Sequence, residues 1–446
     1  MANKRIDELT AATPVVGDFV ATTGVGGPAT KATVQQSANA GLRLDTAVIE
    51  TYTGTGYVPY TYAITTGIPT SRNGVLTPVN TAGVTVERYG LTAAGLVTLT
   101  QSNLVGVTGT YNPTNMASLT SLSAPLLEYV GGGYQPSSMA LLTTLSTPAL
   151  VYVGDLYTPS SMASLTSLSA PVLAYVGSTY QPSSMASLTT ISTPALAYVG
   201  GNYSPGNLSS LTSLSALLLA YVGGNYSPGS MASLTTLSIP ALAYVGASFN
   251  PYTMAALVTV SAPALVYVGS TFNPQNMASL TTLSTPALAY VGASYQPNTL
   301  AALTIISLPA LTSIGVNIAR TAYDAGRLNP YAIASLTSFT VPVIEVIGSV
   351  TNSSISFVTG TAALATFTMG SSLRRVEGSV VFTSAALLVA SVDDILVRLA
   401  ALDGTGLTTA YSTKTVTITG TSATPSATGL AAKATLVARG CTVTHN

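Results

Sequence analysis

The triplet Tyr-Val-Gly recurs at Tyr129, Tyr152, Tyr175, Tyr198, Tyr221, Tyr244, Tyr267 and Tyr290, each step being 23 residues. Prolines keep the same beat from Pro113 and Pro136 through to Pro297. A second proline row runs from Pro125, breaks only at Leu217 and resumes at Pro240. Nine units fill residues 111 to 317 without an insertion. A tenth follows after ten added residues, with Ile333, Leu336, Pro342 and Gly348 restoring the pattern. Such spacing means that each unit stacks on the next in a solenoid, where an insertion must loop out. A propeller blade needs about 40 residues or more, which these units lack.

Within a unit the slots separate into core and surface. Leu119 to Leu303 and Leu127 to Leu311 are invariant rows, while Leu122 to Ile306 and Val130 to Ile314 admit only aliphatic exchanges. Such rows are core, because close packing tolerates volume-conserving swaps and little else. Met116 to Met277 form a fifth row in which Leu208 and Leu300 substitute, so the methionines fill space rather than ligate copper or haem. In the row Tyr134, Tyr157, Tyr180, Tyr203, Tyr226, Phe249, Phe272 and Tyr295, Phe replaces Tyr twice, which predicts a buried ring with a dispensable hydroxyl. The Tyr129 to Tyr290 row never becomes Phe, which predicts an exposed ring with a wet hydroxyl. Ser123 to Ser307 add an uninterrupted hydroxyl row.

The spacing Leu-x-x-Leu-x-x-Pro-x-Leu-x-x-Val-Gly-x-x-Tyr resembles the 23-residue leucine-rich repeat of bacterial surface proteins, the BspA-like class. The family's Phe slot falls on the Tyr134 row, whereas its Cys slot is missing and its proline has moved one place. The resemblance covers roughly 103–350 and implies a mainly β fold: a leucine-rich-repeat solenoid of about ten repeats. Members of that class mostly stick to surfaces and partners.

Both ends of a solenoid need caps. After about Thr351 the sequence changes character. Ser391-Val-Asp-Asp394 predicts a helix N-cap, with Val392, Ile395, Leu396, Leu399 and Leu402 at helical spacing behind it. Pro425 opens a second helix over Ala427–Ala438, and Gly440 stands where a C′ glycine belongs. Thr415–Thr419 and Cys441–Thr444 read as strands, giving an α/β C-terminal cap over 351–446. This stretch resembles a terminal module common in predicted phage structural proteins. Cys441 stands where that module usually has Trp, so it reads as a small buried hydrophobe.

The N-terminus, Lys4-Arg5-Ile-Asp-Glu-Leu-Thr-Ala-Ala-Thr13 followed by Asp18-Phe-Val-Ala-Thr and then Thr30-Lys-Ala-Thr-Val-Gln35, looks like the short segment on many tailed-phage fibre and spike proteins. There it commonly anchors the fibre to the virion. The resemblance implies an attachment segment at 1–43, with Lys4, Arg5, Ile6, Asp7, Leu9 and Phe19 as candidate contacts. It also implies a homo-oligomer, a trimer being favoured. A solvated tail is the plainer alternative. Residues 44–102 read as a β-rich lead-in and N-terminal cap.

Charge then limits the chemistry. Of 446 residues, 14 are Lys or Arg and 14 are Asp or Glu, leaving a formal net charge of zero. Nucleic acid and anionic membrane lose their electrostatic pull on such a chain. The hydrophobic fraction is 47%, yet Ser, Thr, Pro or Gly breaks every run short of the roughly 20 residues of a membrane span. The start has no secretory signal pattern, so the expected place of synthesis and folding is a cytoplasm. Between Asn103 and Ala319 only Glu128 and Asp155 are charged. Their offset of one turn and four residues predicts roughly 13 Å laterally, too wide for a glycosidase pair at about 5 to 9.5 Å. With His445 and Cys441 the sole His and Cys, neither a Ser-His-Asp arrangement nor a zinc site is expected. No enzyme activity, metal or cofactor is expected.

What remains is surface. Strands about 4.8 Å apart place like side chains in ladders. The tyrosines from Tyr129 to Tyr290 either bind a neutral glycan through their rings or stack on one another and stiffen the rod. The first expectation is therefore a structural virion protein, a phage fibre or head or tail appendage assembled in the host cytoplasm. Its repeat rod would contact a host surface glycan or protein. A bacterial cell-surface adhesin and a polysaccharide-degrading spike are the alternatives.

Overall fold

The computed structural model describes residues 96–102, 104–315, 326–348 and 354–446, with the backbone of three short strands before them, Val75–Leu76, Val84–Val86 and Tyr89–Leu91. The candidate contacts Lys4, Arg5, Ile6, Asp7, Leu9 and Phe19 lie outside the described residues, as does the rest of 1–43. The chain divides into two compact units. One is Met1–Val222 with Gly229–Met231, and the other is Gly223–Pro228 with Ala232–Asn446.

In the first unit each 23-residue turn contributes two strands to two parallel sheets. The turn from Tyr134 is representative. Thr144–Ser146 forms one strand, with Leu145 inward between two outward hydroxyls, as the two-residue period of a strand requires. Tyr152–Val153 forms the other, with Val153 buried. Between them Thr147-Pro148-Ala149-Leu150 is a β-turn closed by Leu150 N donating to the Thr147 carbonyl at 3.2 Å. Pro sits at the second position, where its fixed φ fits. The row's exception keeps the turn: Leu219 N donates to Ala216 O at 3.2 Å although Leu217 replaces the proline. A second β-turn joins Met139 to Leu142 at 3.1 Å. From Thr98 onward the register in this unit is 23 residues, as in Ser167↔Thr190 and Tyr152↔Tyr175, whereas Val84–Val86 pairs with Leu104–Val107 across a register shift.

One corner of each turn is left-handed. Asn115, Ser138, Ser161, Ser184, Asn207 and Ser230 all hold φ between 56° and 58°. The left-handed region admits Asn with little strain and resists β-branched or bulky side chains, so small polar residues fill most of this row. Proline two residues earlier and Met or Leu one residue later mark it in the sequence.

The second unit is built on the same turn, with strands at Tyr244–Val245, Tyr267–Val268 and Tyr290–Val291. Ser313 then pairs with Val346, a step of 33 residues that leaves the register intact; the expected loop of ten added residues lies outside the described residues. Ile333 and Leu336 are buried as expected. Stacking does not stop near 350, however. Ser338–Val341 pairs with Thr366–Met369, and Val346 with Arg375. In the first unit, Thr98–Thr100 likewise pairs with Ser121–Ser123. Among the described residues there are about 14 turns rather than ten. The added turns lack Tyr-Val-Gly and use Phe367 and Met369 as core residues, so the repeat markers fail where the packing persists.

At the C-terminal end four parallel strands, Ile355–Phe357, Val380–Phe382, Thr415–Ile418 and Thr442–His445, carry two helices, α1 (Val389–Ala400) and α2 (Ala427–Ala438). The span of α2 and its Gly440 at φ 77° match the sequence expectation, and Ser426 caps it by accepting from Thr428 N. Helix α1 does not. It starts at Val389 behind Leu388, and Ser391 lies buried inside it. The polar groups expected to cap α1 serve other elements. Ser391 Oγ accepts from Phe367 N at 3.1 Å, and Asp393 accepts from both Ser426 N and Ser426 Oγ. Asp394 accepts from Met369 N and from Arg398 Nε, each at 3.0 Å. Cys441 is buried, its thiol facing the Tyr411 carbonyl at 3.7 Å.

The expected core rows are the core. Leu119, Leu127, Val130, Met116 and their successors are fully buried, and Leu283 is the half-buried exception in the Leu122 row.

Candidate functional site

Two aromatic ladders and a hydroxylated sheet face run through the repeats. The inner ladder of the first unit is Tyr111, Tyr134, Tyr157, Tyr180 and Tyr203, stacked 5.0 to 5.2 Å apart within 11° of parallel. In the second unit Tyr226, Phe249, Phe272 and Tyr295 stack at 4.8 to 5.1 Å. All these rings are buried, as the Phe exchanges predict. Tyr111 Oη donates to buried Gln101 Oε1 at 2.6 Å. The hydroxyls of Tyr134 and Tyr180 lie by Thr147 and Thr193.

The outer ladder is the candidate ligand row. Tyr129, Tyr152, Tyr175, Tyr198 and Tyr221 stack in the first unit at 4.8 to 5.1 Å, within 8° of parallel. Tyr244, Tyr267 and Tyr290 stack in the second at 4.8 to 4.9 Å. The expected exposed ring is corrected here. Tyr175 and Tyr198 retain only 7% exposure, because each ring face is covered by the next ring. Tyr129, Tyr152, Tyr221 and Tyr244 are half-buried. The ladder therefore turns ring edges outward, not open faces.

Glycine explains why the triplet is invariant. A Cβ at Gly177 would overlap the Gly154 carbonyl oxygen, and one at Gly200 would overlap that of Gly177. At Gly154 and Gly200 the tyrosine two residues earlier also lies 3.3 to 3.4 Å from that position. Stacked rings and close backbone approach need each other.

The hydroxylated face lies on the other sheet. Ser123, Ser146, Ser169, Ser192 and Ser215 align in register in the first unit, as do Ser238, Ser261 and Ser284 in the second. Two residues before them runs a Ser/Thr row from Ser121 to Ser213 on the same face. A third row turns its hydroxyls to the backbone: Thr143 Oγ1 donates to Thr120 O at 3.1 Å, and Thr212 Oγ1 to Thr189 O at 3.2 Å. Of these three rows the repeat spacing marks the serine row most plainly. The other two were legible as the Thr-Ser or Thr-Thr pair ahead of most of those serines, as at Thr120-Ser121 and Thr143-Thr144.

Charge is as sparse as the sequence requires. Val151, not Asp155, stacks on Glu128, while Asp155 N donates to Gly132 O one turn back, so the two carboxylates sit on different rows. His445 Nε2 lies 3.0 Å from Lys433 Nζ at the end of the last strand. Among the described residues no group of three or more His, Cys, Asp or Glu could hold a metal ion, and no helix is long and apolar enough to cross a membrane.

These features define a parallel β-solenoid protein with 23-residue turns. No protein-family model, no curated protein and no solved structure matches the chain.

The ladders have a measurable pH signature. Burial raises the phenol pKa of Tyr134, Tyr180, Tyr226 and Tyr295 well above the ordinary value. In the outer row burial, and then the neighbouring Tyr129, push Tyr152 up to about 12. An unfolded tyrosine titrates near pH 10. A raised folded pKa gives stability that is whole below the unfolded value and is lost as pH rises towards the folded one. Melting temperature should therefore hold to about pH 9 and fall steeply above about pH 10. Tyrosinate absorbance should appear together with loss of the far-ultraviolet β signal. Titration of the bulk of the tyrosines near pH 10 in the folded chain would contradict the burial.

Proposed function

We propose that this chain is a structural virion protein of a tailed phage, a fibre or a head or tail appendage. It would present a BspA-like leucine-rich-repeat solenoid to the host surface. In this reading residues 1–43 bind virion head or tail proteins, and the repeats contact a host surface glycan or protein without catalysis or cofactor. The chain assembles in the host cytoplasm as a homo-oligomer, with three copies favoured.

The observation that carries the reading is the pairing of long side-chain ladders with near absence of charge. A surface of tyrosine edges and serine and threonine hydroxyls, holding only Glu128 and Asp155 over some two hundred residues, recognises a neutral partner through hydrogen bonds and apolar contact. Multiplication along the stack gives such weak contacts avidity. The resemblance of residues 1–43 to phage attachment segments supplies the virion half of the reading.

Deleting residues 1–43 should leave the repeats folded, with unchanged circular dichroism, and abolish incorporation into particles. Normal incorporation of the truncated chain would remove the attachment role.

A further inference from the structure

The turn between the two strands of each repeat carries Pro-Ala at its central positions in most units. In the second unit it does so in four successive turns, from Pro240-Ala241 to Pro309-Ala310, and Pro342-Val343 then departs once. The first unit departs from this, and its departures are large and apolar. Leu126 is 47% exposed, Val172 41%, and Leu217 and Leu218, which replace Pro-Ala outright, are 50% and 57% exposed. In the adjoining row Val151, 40% exposed, stands where later turns of the unit have Ala174, Ala197 and Ala220. These side chains share one corner of the stack. Val151 N bonds to Glu128 O, Ala174 N to Val151 O, Ala197 N to Ala174 O, and Ala220 N to Ala197 O, at 2.9 to 3.0 Å.

Five exposed aliphatic side chains over five consecutive turns offer on the order of 400 Å² of apolar surface, the size at which a patch on a single chain is commonly functional. Folding does not require them, since Pro-Ala builds the same β-turn elsewhere. A glycan does not explain them either, because Leu and Val offer it no hydrogen bond.

We propose that this corner of the first unit is a self-association surface, and that its occupant is a second copy of this chain. Glu128 is the one charge in the rows that form it, so the partner must be nearly uncharged there, and this chain is. A second copy also carries the same turn-to-turn spacing, so apolar side chains meet at matching intervals when copies lie side by side along the stack. The patch supplies about half of the roughly 800 Å² that each partner buries in a stable pair. The exposed Ser/Thr strand that runs directly into the corner, Ser167 and Ser169 among its residues, supplies the remainder. This inference deepens the homo-oligomer part of the proposed function and does not depend on what the assembly binds.

The test restores the repeat's own residues: Leu126→Ala, Val151→Ala, Val172→Ala, Leu217→Pro and Leu218→Ala in the full chain. Mass by light scattering should be a multiple of 45.0 kDa for the wild type and a single chain for the variant, with the same circular dichroism and melting temperature. A monomeric wild type at micromolar concentration overturns the proposal, as does a variant that stays assembled. If the fivefold variant does not fold, Leu218→Cys in the wild-type background decides. A thiol-specific cross-linker should then join two chains, and failure to join them overturns the proposal. Host-cell adsorption, measured separately, distinguishes loss of this interface from failure of the adhesive reading.

Discussion

Alanine in place of Leu173, Leu196 and Leu219 together should unfold the first unit. Each of these side chains is completely buried, and each stands in the same slot of consecutive turns. A buried Leu→Ala change costs about 2–5 kcal/mol. Three together approach the about 5–15 kcal/mol that holds a whole domain folded. The three sites are neighbours, so their voids merge and the costs are not independent. Urea denaturation followed by circular dichroism measures the effect. A variant that keeps a cooperative transition within about 2 kcal/mol of wild type would show that the row is not core.

Gly177→Ala is the smallest change with a comparable consequence. The added methyl would overlap the Gly154 carbonyl oxygen. Neither backbone can yield freely, because Gly177 N bonds to Val153 O at 2.8 Å and Gly200 N bonds to Val176 O at 2.9 Å. Overpacking against side chains costs about 1–3 kcal/mol. Here the obstacle is backbone, so a loss at or above the top of that range is expected, with the outer tyrosine stack disrupted locally. Gly406→Ala is the control. Its Cβ would meet nothing within 4 Å, and only its φ of 59° resists alanine, at about 1–2 kcal/mol. Equal melting temperatures for the two variants would contradict the close approach.

The repeat was legible because its core slots admit few residue types. Met116 and Leu208 occupy one slot, Tyr226 and Phe249 another, and in each pair shape is kept while polarity is free to change. That pattern exposes burial without any structure. The outer tyrosines misled for a related reason. Their failure to become Phe suggested a wet, open ring, whereas Tyr175 and Tyr198 are covered by their own neighbours. A sequence read one turn at a time does not see that a residue can be buried by its own repeats. The α1 start was missed because Asp393 and Asp394 look like first-turn capping residues, yet they accept hydrogen bonds from Ser426 and Met369, which are distant in sequence. The left-handed corner at Ser138 and Asn207 lay in plain view. Serine, asparagine and, at Thr253 and Thr299, threonine all hold its positive φ, so no single residue type announces it.

The proposed function requires the repeat surface to engage a neutral partner through hydroxyls, ring edges and apolar contact. Binding of the purified chain to intact host cells, titrated with salt, tests this most directly. With one acidic residue in each of two turns and no cation between Asn103 and Ala319, there is little for salt to screen. Bound fraction should stay level from about 0.05 to about 0.5 M salt and fall when Tyr152, Tyr175 and Tyr198 are changed to alanine in a chain that still folds. Loss of binding across that salt range, or full binding by the folded tyrosine variant, would contradict it.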